Sequence, residues 1–261
     1  MKRTNILFIL IITCFVFLSF SGDKNNKIKN DLSELSLKGK VKTLTEIEYK
    51  ISPNIGKIKE GDMIYKYVFS FNENGNLTET NFYDPEGNLD GKCAYAYDNN
   101  KGNKKEMTTY NPDGTADERC VYKYDVKGNM LQQIWYNPDG SVDKKYSYKY
   151  DDNGNQVAMN KYDFHDSLLC KDSYKYDNKG EKIEWNHFNL VPPTDGTLSK
   201  KVIFKYDDKG NINVENIYLA DGNFENYTYK YDYARKGNWK KETIYKNGLP
   251  LYITERKIKY Y

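Results

Sequence analysis

Apolar and aromatic residues alternate with polar residues in short segments along most of the chain. In one such segment Tyr146, Tyr148 and Tyr150 alternate with Ser147 and Lys149. A period of two is typical of a β-strand that buries one face. Glycine-containing turn motifs separate these segments into lengths of about nine and eleven residues. The pattern therefore predicts strands and excludes long helices in these windows.

Two turn motifs punctuate the strands at regular intervals. The first is [Phe/Tyr]-[Asp/Asn]-x-x-Gly-Asn, as in residues 124–129, and the second is Tyr-Asn-Pro-Asp-Gly, as in residues 136–140. The leading aromatic of the first motif recurs at intervals of 26, 27, 26, 26, 30 and 25 residues. A nearly constant period over this many copies is the signature of a repeat architecture.

Both motifs contain the residues of one kind of turn. Asp or Asn accepts a hydrogen bond from the turn backbone, Pro pre-sets φ, and Gly adopts the left-handed conformation. This combination predicts a type I turn with a G1 bulge, which reverses the chain between neighbouring strands. We therefore predict an all-β fold, an antiparallel up-and-down hairpin meander of about 15–16 strands. Sheets of this width curl or close, and we favour a closed barrel over an open curled shell.

Three loops depart from the repeat. Asp163–Asp166 lacks the glycine, so Asp166 is expected to have a positive φ. Residues 189–196 lengthen a second loop, and residues 233–236 enlarge a third. Such loops are either functional sites or neutral insertions.

The N-terminus predicts export. A basic start, an apolar run over residues 6–20 and small residues at 19 and 21 describe a signal peptide over residues 1–21. Cys14 fits a lipoprotein motif poorly, so we expect no lipidation. Residues 22–36 form a polar tether or one helical turn, and residues 37–261 a single β-repeat domain. The expected location is secreted or periplasmic, within the cell envelope.

Composition narrows the class further. The chain has 26 tyrosines and a mean hydropathy of −0.89. These values predict packing in which tyrosine rings are buried while their hydroxyls stay in contact with water. The net charge of +3 arises from interspersed Lys, Asp and Glu, so no nucleic-acid surface is expected. Charged residues such as Lys144 and Glu118 interrupt the apolar face, so we predict no lipid-embedded segment. Cys93, Cys120 and Cys170 are predicted to be buried free thiols.

Alternation places Trp135 with Lys145 on a lysine-rich face opposite the tyrosines. A patch on that face is the candidate ligand-binding site, and it comprises Trp135, Met159, Trp185 and His187. Exposed aromatic rings of this kind stack on sugar rings. The alternative is that these side chains pack on one another to cover the sheet.

The histidines give no sign of catalysis or metal binding. His165 and His187 lack metal-ligand spacing, and turns such as residues 151–154 lack the ligand spacing of an EF-hand loop. We predict no catalytic residue, metal or cofactor.

The repeat resembles YD-repeat (RHS-repeat) proteins over roughly residues 65–250. The shared signature is Tyr-x-Tyr-Asp-x-x-Gly-Asn, as in residues 148–155, followed by a Pro-Asp-Gly turn, as in residues 137–140. The resemblance implies hairpins wound into a shell, surface display and carbohydrate binding. Residues 84–87 share only Asp-Pro-x-Gly with the family's core motif and are followed by Asn88, so autoproteolysis is not implied.

Together these features predict an exported, non-enzymatic binding or interaction module of the bacterial cell envelope. A glycan or an envelope protein is the expected partner, and no particular oligomeric state is predicted. The alternative is a structural β-repeat scaffold without a ligand of its own.

Overall fold

The computed structural model describes residues 30–52, 59–99, 102–192 and 196–261, so the predicted signal peptide and Cys14 lie outside the described residues. The described chain contains one helical turn, α1, and sixteen β-strands. Their bounds are α1 Asp31–Glu34, β1 Val41–Ser52, β2 Lys59–Phe71, β3 Leu77–Tyr83, β4 Leu89–Tyr97, β5 Lys104–Tyr110, β6 Ala116–Tyr124, β7 Met130–Tyr136, β8 Val142–Tyr150, β9 Gln156–Asp163, β10 Leu168–Tyr176, β11 Lys182–Asn189, β12 Leu198–Tyr206, β13 Ile212–Leu219, β14 Phe224–Tyr233, β15 Trp239–Lys246 and β16 Leu249–Tyr260.

The strands form a closed antiparallel barrel with up-and-down topology. Each strand pairs with its neighbours in sequence, and β16 pairs with β1 to complete the ring. At this closure Val41 lies opposite Tyr260, and Leu44 lies opposite Ile258. The predicted meander, its strand number and its closed form are confirmed. Within the part of the chain that the structure describes, no helix is long and apolar enough to cross a bilayer.

The turns have the predicted geometry. In the turn after β6 the Gly128 amide donates to the Asp125 carbonyl, and the Asp125 amide donates to the Asn129 carbonyl. The Asp125 carboxylate accepts from the amides of Lys127 and Asn129 at 2.9 and 2.8 Å. Gly128 has a φ of +86°, and Asp166, in the turn without glycine, has a φ of +65° as predicted.

Bulges beside the turns change which face a residue takes. Tyr136 pairs with Val142, but Trp135 pairs with Lys144, so one extra residue lies in β8 at this point. The prediction that Trp135 shares a face with Lys145 assumed unbroken alternation through the turn, and it is wrong by one residue. Trp135 shares the inner face with Lys144 and Tyr146, and Ile134 takes the outer face.

Each residue of the repeated Tyr-x-Tyr-Asp sequence has its own role. The first tyrosine, such as Tyr148, lies inside the barrel, where burial raises the pKa of its hydroxyl. The next position is exposed on the outer face, and lysine occupies it at residues 123, 149, 175, 205 and 230. The second tyrosine, such as Tyr150, donates to a carbonyl of the preceding strand. The predicted tyrosine face is therefore the enclosed one.

Residues 30–40 cover part of one end of the barrel, which we call the helix end. Asp31 accepts hydrogen bonds from the Leu77 amide at 2.7 Å and the Tyr97 hydroxyl at 2.5 Å. Its carboxylate also forms an ion pair with Lys104 at 2.8 Å. Further along, the main-chain amide of Lys38 donates to the Asn238 side-chain oxygen, and the Asn238 side-chain amide donates to the Lys38 carbonyl. The opposite end, which carries the Pro-Asp-Gly turns and the β11–β12 loop, is called the far end.

The hydrophobic core lies between this N-terminal segment and the first half of the barrel. The core contains buried side chains from residues 32–37 and from strands β1–β8, among them Leu44, Leu77, Cys93 and Cys120. The three described cysteines are free, and Cys170 is half-buried. Burial raises the pKa of the Cys93 and Cys120 thiols to about 12.

Candidate functional site

The predicted site residues lie on the inner face of the barrel and not on the outer, lysine-rich face. Met159 pairs with Tyr148 on one side and with Asp172 on the other. His187 pairs with Asp172, and Trp185 pairs with Tyr174. The face assignment fails for the reason found at Trp135, because a bulge beside each turn shifts the alternation by one residue.

Asp172 contacts two of the side chains on this face, His187 and Tyr174. Its carboxylate lies 2.6 Å from His187 Nδ1 and accepts a hydrogen bond from the Tyr174 hydroxyl at 3.3 Å. The Asp172 side chain is 3% exposed, whereas that of His187 is 31% exposed. The buried carboxylate therefore fixes the imidazole by one nitrogen and leaves the ring within reach of solvent.

Trp185 and Tyr174 form an aromatic surface beside this pair. The Trp185 ring lies edge-on to His187, with 6.3 Å between the ring centroids. Lys200 Nζ lies 4.7 Å from the centroid of Trp185, and Lys182 Nζ lies 4.3 Å from that of Tyr174. Each ring is thus covered by an ammonium group at a distance typical of a cation–π contact.

Trp135 occupies a different environment from Trp185. It is buried in the core cluster, and Lys144 Nζ lies 4.8 Å from its ring centroid. The same ammonium lies 3.6 Å from Glu118. Met159 packs at the edge of this cluster, so it connects the core to the Asp172 region. The structure therefore groups Met159, Trp185 and His187 around Asp172, and leaves Trp135 in the core.

Packing differs between the two halves of the barrel. The buried core draws on β1–β8, whereas every residue of β9 is only half-buried. Trp185, His187 and Lys200 are likewise half-buried on the inner face. On β10–β13 the inner face also carries buried residues, namely Asp172, Tyr174, Val202, Phe204 and Glu215. The partly exposed inner residues are therefore concentrated at β9 and at Trp185, His187 and Lys200. We call the surface formed by Met159, Asp172, Tyr174, Trp185 and His187 the inner aromatic surface.

A hydrogen-bonded His–Asp pair is also the base component of many hydrolases, which in addition need a nucleophile. Cys170 is two residues from Asp172 on the same face. Burial, and secondly the Asp172 charge, raise the pKa of its thiol. The reactive thiolate form of Cys170 is therefore disfavoured.

The site also includes Asp172, Lys182 and Lys200, which the sequence pattern does not single out. The available signal is strand register, because His187 pairs with Asp172 on one side and with Lys200 on the other. Deriving that register requires the bulge positions, which glycine spacing alone does not give. No group of three or more His, Cys, Asp or Glu side chains arranged for a metal ion occurs among the described residues.

Comparisons with known proteins support the fold alone. No protein-family model matches the chain, and no curated protein sequence matches it. A porin-like protein from Bacteroides uniformis superposes with a TM-score of 0.54 at 10% identity, over 84% of this chain and 96% of its own. A porin-like protein from Bacteroides vulgatus gives a TM-score of 0.37 at 14% identity, over 85% and 98%. A chain of a TcdB2-TccC3-Cdc42 complex gives 0.20 at 13% identity, over 81% and 16%. The chain is thus similar in fold to a porin-like β-barrel.

Proposed function

We propose that the protein is an exported, non-enzymatic binding module of the cell envelope that holds a carbohydrate against the inner aromatic surface. The observation that carries the proposal is the half-buried Trp185 ring beside a histidine fixed by a buried carboxylate. An indole face packs against the C–H groups of a sugar ring, and His187 supplies a directional polar contact at its edge. This combination of apolar wall and few polar groups is typical of ligand sites.

The envelope location is supported by the signal-peptide pattern of residues 1–21 and by the YD-repeat resemblance. The outer face of the barrel argues against a lipid-embedded pore. It carries exposed lysines, such as Lys149 and Lys205, at the strand positions where membrane barrels carry an apolar band. The first tyrosine of each Tyr-x-Tyr-Asp repeat, such as Tyr148, is inside instead. Exposed lysines on the wall are the opposite of what a lipid-embedded band requires.

A structural scaffold without a ligand is the second candidate. The densely packed core of β1–β8, with Leu44, Leu77 and Cys120 fully buried, favours it for that half of the barrel. The buried polar groups Asp172 and Glu215 on the inner face of β10 and β13 do not have the same explanation, since packing alone would place apolar side chains there.

The test is a glycan array probed with the wild-type protein and with Trp185→Ala. We expect binding to a restricted set of glycans, with at least a tenfold loss of affinity in Trp185→Ala. Trp135→Ala is the matched control, since it removes the same side chain from the core and should lower stability while leaving the glycan preference unchanged. Absence of any bound glycan with folded wild-type protein would favour the scaffold.

A further inference from the structure

Two lysines on the inner face have no carboxylate within ion-pairing distance among the described residues. Lys182 lies on β11 and contacts the Tyr174 ring, and Lys200 lies on β12 and contacts the Trp185 ring. Since Tyr174 and Trp185 are paired across β10 and β11, the two ammonium groups flank one continuous aromatic surface.

Two other buried lysines of the inner face have close partners. Lys104 pairs with Asp31 at 2.8 Å. Lys144 lies 2.5 Å from Asp143. An ammonium group taken out of water is costly unless an anion is close. Among the described residues, Lys182 and Lys200 have no such partner beside the inner aromatic surface.

The charges around the two lysines leave this region short of anions. Asp172 is shared with His187, and Glu225 is paired with Lys246. Glu215 is buried on β13, and burial raises the pKa of its carboxyl to about 7, so it is only partly ionised near neutral pH. Burial also lowers the pKa of Lys182 to about 8, with Asp172 opposing this effect. Burial lowers the pKa of Lys200 as well, with Glu215, Glu225 and Asp172 opposing this effect. Both ammonium groups are thus desolvated without a carboxylate at ion-pairing distance among the described residues.

We propose that Lys182 and Lys200 select an anionic sugar, a pyranose bearing a carboxylate or a sulfate, for the inner aromatic surface. The proposal rests on the proposed carbohydrate-binding function and specifies its ligand class. The sugar ring packs on Trp185, and the anionic substituent replaces the missing partner of one or both ammonium groups. Lysine acts here as a point charge, so carboxylate and sulfate meet the same requirement.

The experiment is titration calorimetry with three oligosaccharides of equal length: an oligogalacturonide, a sulfated galactan fragment and a neutral galactan fragment. Wild-type protein is expected to bind at least one anionic fragment tenfold or more tightly than the neutral one. That preference should decrease as salt is raised from 50 to 500 mM, because counterions screen the ammonium groups. The two anionic arms show whether carboxylate or sulfate is preferred.

Variants connect the preference to the two side chains. Lys182→Met and Lys200→Met should each lower the ratio of anionic to neutral affinity about tenfold. Lys205→Met is the matched control, because Lys205 lies on β12 with its side chain exposed on the outer face, and it should have no effect. Thermal unfolding of each variant verifies that it is folded.

The outcomes separate the two proposals. If the neutral fragment binds and Trp185→Ala abolishes that binding, but the anionic fragments bind no better, the selection by Lys182 and Lys200 is wrong and the binding function stands. An anionic preference that persists in both lysine variants would likewise overturn the selection. If no fragment of any class binds, the carbohydrate-binding function itself fails.

Discussion

The hydroxyl of Tyr150, at the end of β8, donates a hydrogen bond of 3.0 Å to the main-chain carbonyl of Met130 at the start of β7. The same contact recurs around the barrel. The second tyrosine of the repeat joins the first residue of the preceding strand in the pairs Tyr97–Leu77, Tyr176–Gln156, Tyr206–Lys182 and Tyr231–Ile212. Successive turns of the helix end are thus joined to one another, which explains why the repeat keeps a hydroxyl at this position.

Tyr150→Phe tests this contact with the removal of one oxygen atom. We expect a loss of about 1 kcal/mol in the free energy of unfolding, because one hydrogen bond is removed and the Met130 carbonyl loses its donor. Tyr136→Phe is the control, since the Tyr136 ring lies under Arg119 on the outer face. Urea denaturation measures both variants. Equal stabilities for the two would show that the repeated hydroxyl contributes nothing to the fold.

The turns give a pair of predictions with opposite sign. Gly140 has a φ of +85° and open space where a Cβ would lie, so Gly140→Ala should destabilise by about 1–2 kcal/mol through backbone strain alone. Asp166 adopts the same conformation without being glycine, so Asp166→Gly should stabilise by about 0.5–1 kcal/mol. Denaturant unfolding of the two variants is the measurement. A loss of stability in Asp166→Gly would mean that its exposed ion pair with Lys145 outweighs the strain.

Asp31 attaches the N-terminal segment to the barrel. Asp31→Ala should cost about 3–5 kcal/mol, because it leaves the Lys104 ammonium buried without a carboxylate. The double variant Asp31→Ala with Lys104→Met should recover part of this loss, since it removes the uncompensated charge. Glu106→Ala, which breaks an exposed ion pair with Arg119, should cost less than about 1 kcal/mol. Failure of the double variant to recover stability would contradict the assignment.

Three inner carboxyls should make stability depend on pH. Burial raises the pKa of Glu48, Glu215 and Glu242 from 4.5 to about 7. Below pH 4.5 these groups are mainly protonated in the folded and unfolded states. Between about pH 4.5 and 7 the unfolded chain releases these protons and the folded barrel keeps them, so their contribution to stability is lost as pH rises through that window. The full shift corresponds to about 3 kcal/mol for each group.

Glu215→Gln isolates this effect. Its free energy of unfolding relative to wild type should rise between pH 4.5 and 8, because the amide cannot ionise in either state. The exposed-face variant Glu106→Gln should show no such trend. Thermal or urea unfolding across that range provides the comparison, and a constant offset between Glu215→Gln and wild type would refute the raised pKa.

The fold could be predicted because the residues that determine each turn are close together in the sequence. Asp125, Gly128 and their equivalents define each turn, the turns define the strands, and sixteen antiparallel strands with one aromatic face close on themselves. The inner face of the site could not be predicted in the same way. Trp135 was placed outside because the extra residue near Asp143 in β8 reverses the alternation, and glycine spacing does not show on which strand the extra residue lies.

The neighbours of His187 were missed for a related reason. Asp172 and Lys200 contact the site through strand pairing, and pairing depends on the cumulative register of several bulged hairpins. The covering of the helix end by Asp31 was also missed. Only a capping box formed by Asn30 and Ser33 marks that helical turn in the sequence, and it gives no sign of a long-range contact with Lys104.

The most direct test of the binding account uses the three tryptophans. Trp135, Trp185 and Trp239 give three indole N–H signals in a nitrogen–proton NMR spectrum, and all three lie on the inner face. Titration with the best-bound oligosaccharide should shift the Trp185 signal strongly and leave Trp135, buried in the core, and Trp239, under Arg256 at 3.5 Å, nearly unchanged. Saturating binding that leaves the Trp185 signal in place would contradict the claim that the ligand lies on the inner aromatic surface.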